Sequence, residues 1–123
     1  MKARGETTRY RVRLSVPRRG GWRAWGAASG DFEERLAAQD SPGVAGPQIE
    51  TQTRRGADYV RVTIAAAVIA ADVAEALTVA WGVFLQAADD DAHGWDMASA
   101  TAEVRPERLL TGHRALAPQW ISA

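Results

Sequence analysis

Residues 59–88 read YVRVTIAAAVIAADVAEALTVAWGVFLQAA, and this stretch decides the fold. In its first half Val60, Val62 and Ile64 alternate with Arg61 and Thr63, the period-two pattern of a strand with one buried face. After Asp72 the period changes. Val73, Leu77, Ala80, Trp81, Phe84 and Ala88 recur three or four residues apart, which predicts a helix over 73–88 with those residues along its core stripe. Asp72 followed by Glu75 is a capping-box start, in which a side-chain oxygen satisfies an otherwise orphaned backbone N–H. The rest of the chain must cover that stripe.

Upstream, Tyr10, Val12, Leu14 and Val16 alternate with Arg9, Arg11, Arg13 and Ser15, predicting a second half-buried strand over 9–16. Pro17, which has no N–H to give a ladder, is expected to end it. Residues 17–30, PRRGGWRAWGAASG, are rich in glycine and show no period, so they read as a mobile loop with a use. Ser29 or Asp31 then starts a short helix, DFEERLAAQ, with Phe32 and Leu36 facing inward. DSPGVAGPQ is turn chemistry. A weaker strand is expected over 48–54, with Ile49, Thr51 and Thr53 on one face. Arg55, Gly56, Ala57 and Asp58 form a tight turn that makes it a hairpin with the strand from Tyr59.

Downstream of the long helix, DDDAHGW leads to a last strand over 96–105. Its Ala98, Ala100, Ala102 and Val104 would pack inward, and Pro106 would stop it. Residues 1–8 are expected to be a flexible N-terminus, 9–105 the folded domain and 106–123 a C-terminal extension whose Trp120 and Ile121 need apolar surface.

The order β-α-β-β-α-β is that of a ferredoxin-like α+β domain. Right-handed crossovers put both helices on one face of a four-stranded antiparallel sheet of order 4-1-3-2. The 123 residues suffice for one such core, and the apolar fraction of 46% with 24% charge is that of a globular chain. With no cysteine, disulfides, thiolate catalysis and sulfur-bound zinc are excluded. MKARGETTRYRVR lacks the apolar core of a secretory leader. The most apolar window contains Asp72 and Glu75, each costing about 2.5–3.5 kcal/mol at a bilayer centre. The expected setting is therefore the cytoplasm, with no membrane partner. Lys2 is the only lysine beside many arginines and alanines, a codon signature of a GC-rich bacterial or phage genome.

Formal net charge is zero, but Lys2, Arg4, Arg9, Arg11, Arg13, Arg18, Arg19 and Arg23 crowd the first 25 residues against Glu6 alone. Such asymmetry marks either an acidic or nucleic-acid partner or internal complementarity. The uncovered sheet face would carry Arg11, Arg13, Arg61 and Thr63, flanked by Arg9 and Ser15. Beside Trp22, Arg23 and Trp25, this face can hold phosphates and stack bases. Equally, Glu50 and Glu103 on the two edge strands can pair with these arginines across the sheet. RNA-reading sheets carry aromatics on their central strands; here those positions are arginine.

Asp89, Asp90, Asp91, His93 and Asp96 have cation-ligand chemistry, but the EF-hand spacing fails at its twelfth position, Ala100, so no metal is assigned. His93 and His113 adjoin no nucleophile, phosphate-loop or zinc motif, and no catalytic residue or cofactor is assigned. Trp22, Trp25, Trp95 and Trp120, expected outside the regular elements, are candidates for an interface or pocket lid. The candidate binding residues are thus Arg11, Arg13, Arg61, Trp22, Arg23, Trp25, His93 and Trp95. The reading favoured is a non-catalytic protein-interaction or ligand-binding module that forms a homodimer. Two alternatives stand beside it. One is a nucleic-acid-binding domain acting through Arg11, Arg13, Arg18, Arg19, Arg23 and Arg61, on the sheet face and the loop beside it. The other is a small dimeric α+β barrel-type enzyme with a pocket lined by Trp81, Phe84 and Trp95 and with His93 as its acid or base.

Overall fold

The computed structural model describes residues 7–55, 59–89 and 94–107. Its elements are β1 (Thr8–Arg19), α1 (Gly21–Ala37), β2 (Val44–Arg55), β3 (Tyr59–Ala70), α2 (Val73–Ala88) and β4 (Thr101–Pro106), with a 3-10 turn at Met97–Ser99 before β4. The four strands form one antiparallel sheet of order β2-β3-β1-β4. This is the ferredoxin-like α+β arrangement, with β1 and β3 as central neighbours. Arg55 pairs with Tyr59, closing the β2–β3 hairpin.

The alternation in β1 and β3 does what its period requires. Tyr10, Val12, Leu14 and Val16 join Val60, Val62, Ile64, Ala66, Val68 and Ala70 in the core beneath the helices. β1 does not stop at Pro17; it continues to Arg19, with Pro17 opposite Arg61. The Pro17 carbonyl accepts from Asp96 N at 2.8 Å on the β4 side. The N–H and C=O of a strand residue point the same way, so the missing donor faces the place where β4 pairing has already ended at Ser15 and Thr101. Proline costs no β1–β3 bond there.

β2 is longer than the expected strand and carries two register shifts, one between Ala45 and Gln48 and one between Ile49 and Thr51. The second leaves Glu50 as an inserted residue, because Ile49 opposes Ile64 while Thr51 opposes Thr63. Ile49 therefore packs on the core side, and Thr51 and Thr53 do not share its face. β4 is shorter than expected. Ala98 lies in the 3-10 turn and Ala102 is exposed, so only Ala100 and Val104 pack against the core. Pro106 closes β4 as its last residue, opposite Tyr10.

The segment expected to be a loop is helix. α1 begins directly after Gly20 and absorbs residues 21–30, and neither Ser29 nor Asp31 caps it. Gly20 sits at φ 95°, and a Cβ there would lie 3.0 Å from the Ala24 Cβ, so the entry to α1 admits glycine alone. Trp25, Ala28, Phe32 and Leu36 make the inward stripe. Two internal glycines disfavour this helix, and the burial of Trp25 and Phe32 overrides them.

α2 starts as its sequence dictates. Asp72 Oδ1 accepts from Glu75 N at 2.8 Å, and Glu75 Oε1 accepts from Ala71 N at 2.6 Å. Its core face is rotated from the expected stripe. Ala76, Ala80, Val83, Phe84, Ala87 and Ala88 are buried, Trp81 is half-buried and Val73 is exposed. Small alanines let the helix lie close on the sheet, whereas a stripe centred on Leu77 and Trp81 would hold it away.

Among the described residues, no helix is long and apolar enough to cross a membrane.

Candidate functional site: the uncovered sheet face

Both helices cover one side of the sheet, and the other side is built by the alternate residues of the same strands. Arg9, Arg11, Arg13 and Ser15 come from β1, Arg61, Thr63, Ala65 and Ala67 from β3, and Glu103 and Arg105 from β4. The inserted Glu50 of β2 joins them because the bulge turns it onto this face, a common use of bulges.

Arg13 lies at the centre. Its Nε is 2.9 Å from Glu50 Oε1 and its Nη2 donates to Glu50 Oε2 at 3.1 Å, a two-pronged pair, while its Nη1 reaches Glu103 Oε1 at 3.4 Å. β1 and β2 are not neighbours, so this pair spans about 10 Å, two strand spacings, over β3. The residue of β3 beneath it is Ala65, opposite Arg13 in register. Ala65 is 1% exposed although it belongs to the side without helices. A larger side chain there would lift the guanidinium from Glu50. Arg11 also approaches Glu50, at 3.5 Å, Arg105 binds Glu103 at 2.6 Å and Arg9 binds Glu107 at 2.9 Å. A lattice of ion pairs thus runs from edge to edge of the sheet. Hydrogen bonding to Glu50 and its negative charge, with a smaller contribution from Glu103, hold the Arg13 guanidinium above the ordinary arginine range against slight desolvation. A raised pKa on a cation means that the guanidinium is charged at every pH below that range, so Arg13 does not titrate near neutrality.

Arg61 stands apart. Its Nη1 donates to Ser15 Oγ at 3.0 Å, and Thr63 Oγ1 donates to the same oxygen at 3.1 Å. Among the described residues it has no carboxylate partner.

The structure divides the aromatic candidates. Trp22 is on α1 and 47% exposed, and Arg23 beside it is exposed. Trp25 and Trp95 are in the core. They meet edge-on at 5.5 Å between centroids, and both touch Phe32. Trp25 Nε1 donates to Gln52 Oε1 on β2. Arg18, one of the residues considered for phosphate contact, is buried, with its guanidinium 5.0 Å from the Trp95 ring and 5.6 Å from the Trp25 ring. Continuing the β1 alternation from Val16 to Arg18 would have placed it on the core side. Neither tryptophan nor Arg18 presents itself to a ligand.

Phe84 and Trp95, expected to line a pocket, are in ring contact at 4.9 Å, and Trp81 stands edge-on to Phe84 at 5.7 Å. The hollow beside Trp25, Phe32 and Trp95 amounts to about 10 Å³, room for one water at most. His93, His113, Asp90, Asp91 and Trp120 lie outside the described residues. Among the described residues no group of three His, Cys, Asp or Glu side chains converges as metal ligands. Of the sites that sequence reasoning missed, the chief one is the depression at Pro17, Tyr59, Arg61, Asp96 and Ser99, because Asp96 reaches β1 only through the Pro17 carbonyl.

Comparison with protein-family models, with curated proteins and with solved structures gave no match.

Proposed function

We propose that this protein is a non-catalytic interaction module that self-associates through the uncovered sheet face, with a second copy of the chain as occupant. The observation behind this reading is the interleaving of charge on that face. A two-fold interface sets each patch against itself. A face of arginines alone would repel its own copy. Here Glu50, Glu103 and Glu107 alternate with Arg9, Arg11, Arg13 and Arg105, so a rotated copy can set carboxylate against guanidinium. The same pairing disfavours nucleic acid, since each phosphate would have to displace a carboxylate already in place.

Size and preorganisation support the reading too. β1 and β3 have 12 residues each, so a four-stranded face offers roughly 600–800 Å², close to the roughly 800 Å² per partner of a standard interface. Arginines already paired with Glu50 and Glu103 also lose little rotamer freedom on contact.

Solution mass by light scattering, at low and at high salt and with or without a mixed oligonucleotide pool, tests this. The expected result is a dimer that ignores the oligonucleotides. A monomer that shifts to a larger, salt-sensitive complex with them would transfer the face to nucleic acid and overturn the proposal.

A further inference from the structure

At the end of the sheet beyond the last β1–β4 pair there is a depression of about 340 Å³ lined by Pro17, Tyr59, Arg61, Asp96 and Ser99. That volume is in the lower range of small-ligand sites, about 300–1,000 Å³. Pro17 is at its centre. It opposes Arg61 in the β1–β3 register, and its carbonyl accepts the backbone N–H of Asp96 on the other side. Arg61 and Asp96 therefore flank the proline ring from neighbouring positions, about 10 Å apart at the backbone by two strand spacings.

The two charges do not neutralise each other or anything else among the described residues. The only hydrogen bond of the Arg61 side chain there is to the neutral Ser15 hydroxyl. Asp96 precedes the 3-10 turn at Met97–Ser99 without capping it through its side chain. Its carboxylate has no hydrogen bond or ion pair among the described residues. Every other arginine named on this face has a carboxylate within 3.5 Å. A cation and an anion held apart across a concave floor, with the exposed Tyr59 and Ser99 at its rim, are complementary to a molecule carrying both charges.

We propose that this depression binds a small zwitterion, an amino acid or ω-amino acid, with its carboxylate on the Arg61 guanidinium and its ammonium on the Asp96 carboxylate. A guanidinium receives a carboxylate through two parallel N–H donors, the geometry that makes arginine selective for such groups. Arg61 belongs to the same uncovered face, so a second copy docked over that end would compete with the zwitterion, and the titration is carried out on monomeric chain, its mass checked by light scattering.

The test is a titration of the full chain with 4-aminobutyrate, followed by the backbone amide resonances of Arg18, Arg61 and Asp96, with acetate and methylammonium as single-charge controls. Saturable shifts at those amides are expected, with each control binding at least about tenfold more weakly, the loss of one charge-assisted pair. Arg61→Gln and Asp96→Asn should each weaken 4-aminobutyrate by a similar factor. Asp96→Asn should also bring it level with acetate while both still give saturable shifts at the Arg61 amide, a readout that loss of fold cannot imitate. Absence of saturable shifts, acetate binding the native chain as tightly as 4-aminobutyrate, or indifference to Asp96→Asn in a folded variant would each overturn the proposal.

Discussion

Trp25 shows how much one side chain can organise. It is 1% exposed and stands edge-on to Phe32 and Trp95, and its indole N–H is taken by Gln52. It therefore ties α1 to β2 and to the segment before β4. Trp81, by contrast, touches one ring of the cluster edge-on and stays partly in solvent. Truncating a large aromatic in a filled core costs about 3–5 kcal/mol, because the lost transfer energy is joined by that of the cavity left behind. Trp25→Ala should destabilise by that amount in urea denaturation, and Trp81→Ala by less than half of it. Equal losses for the two would mean that the core is centred on α2 and not on the Trp25 cluster. The position of Arg18 follows from the same cluster. A guanidinium against two indole faces is stabilised by the rings' quadrupoles, which is how a charged residue can continue the inward alternation of β1.

At the scale of elements, what the sequence reveals depends on whether one local period controls the outcome. β1 and β3 alternate cleanly, α2 carries its capping box, and these three elements with the β2–β3 hairpin were legible along with the strand order. α1 was not. Gly20, Gly21, Gly26 and Gly30 lower its local propensity, and the signal that mattered was the spacing of Trp25, Phe32 and Leu36, which has meaning only once the sheet is there to receive it. The bulge at Glu50 was equally hidden, since an inserted residue changes no local pattern. Glu50 and Glu103 were recognisable as partners for the arginines, but the reach of Arg13 over β3 depends on Ala65, which reads in sequence as one alanine among several. The glycines of α1 offer a test. A Cβ at Gly26 or Gly30 would meet nothing within 4 Å, so Gly26→Ala and Gly30→Ala should each raise stability by about 0.5–1 kcal/mol through helix propensity and a less mobile unfolded chain. Gly20→Ala should lower it, because of its positive φ and the approach of Ala24. Thermal melts of the three variants check this. A fall in Tm for both Gly26→Ala and Gly30→Ala would show that residues 21–30 are not helical in solution.

On the scale of the whole molecule, the two faces of the sheet use opposite means. The helix side is held by apolar burial, which salt does not screen. The other side is held by ion pairs with partly exposed side chains, which contribute little to folding and weaken as salt rises. Exchanging charges on that side should therefore leave the fold intact while changing what the face recognises. Arg13→Glu places three carboxylates together with Glu50 and Glu103 and removes the centre of the lattice. If the face meets its own copy, the variant should run as a monomer in light scattering, with a urea midpoint close to that of the parent chain. The double variant Arg13→Glu, Glu50→Arg restores one opposite-charge pair across β3 with its polarity reversed, and dimer should return in part at low salt. A monomeric parent chain, or a single variant that stays dimeric, would exclude this face as the contact. Unfolding of Arg13→Glu would instead show that the ion-pair lattice holds the sheet together, so the urea midpoint decides between a recognition role for Arg13 and a structural one.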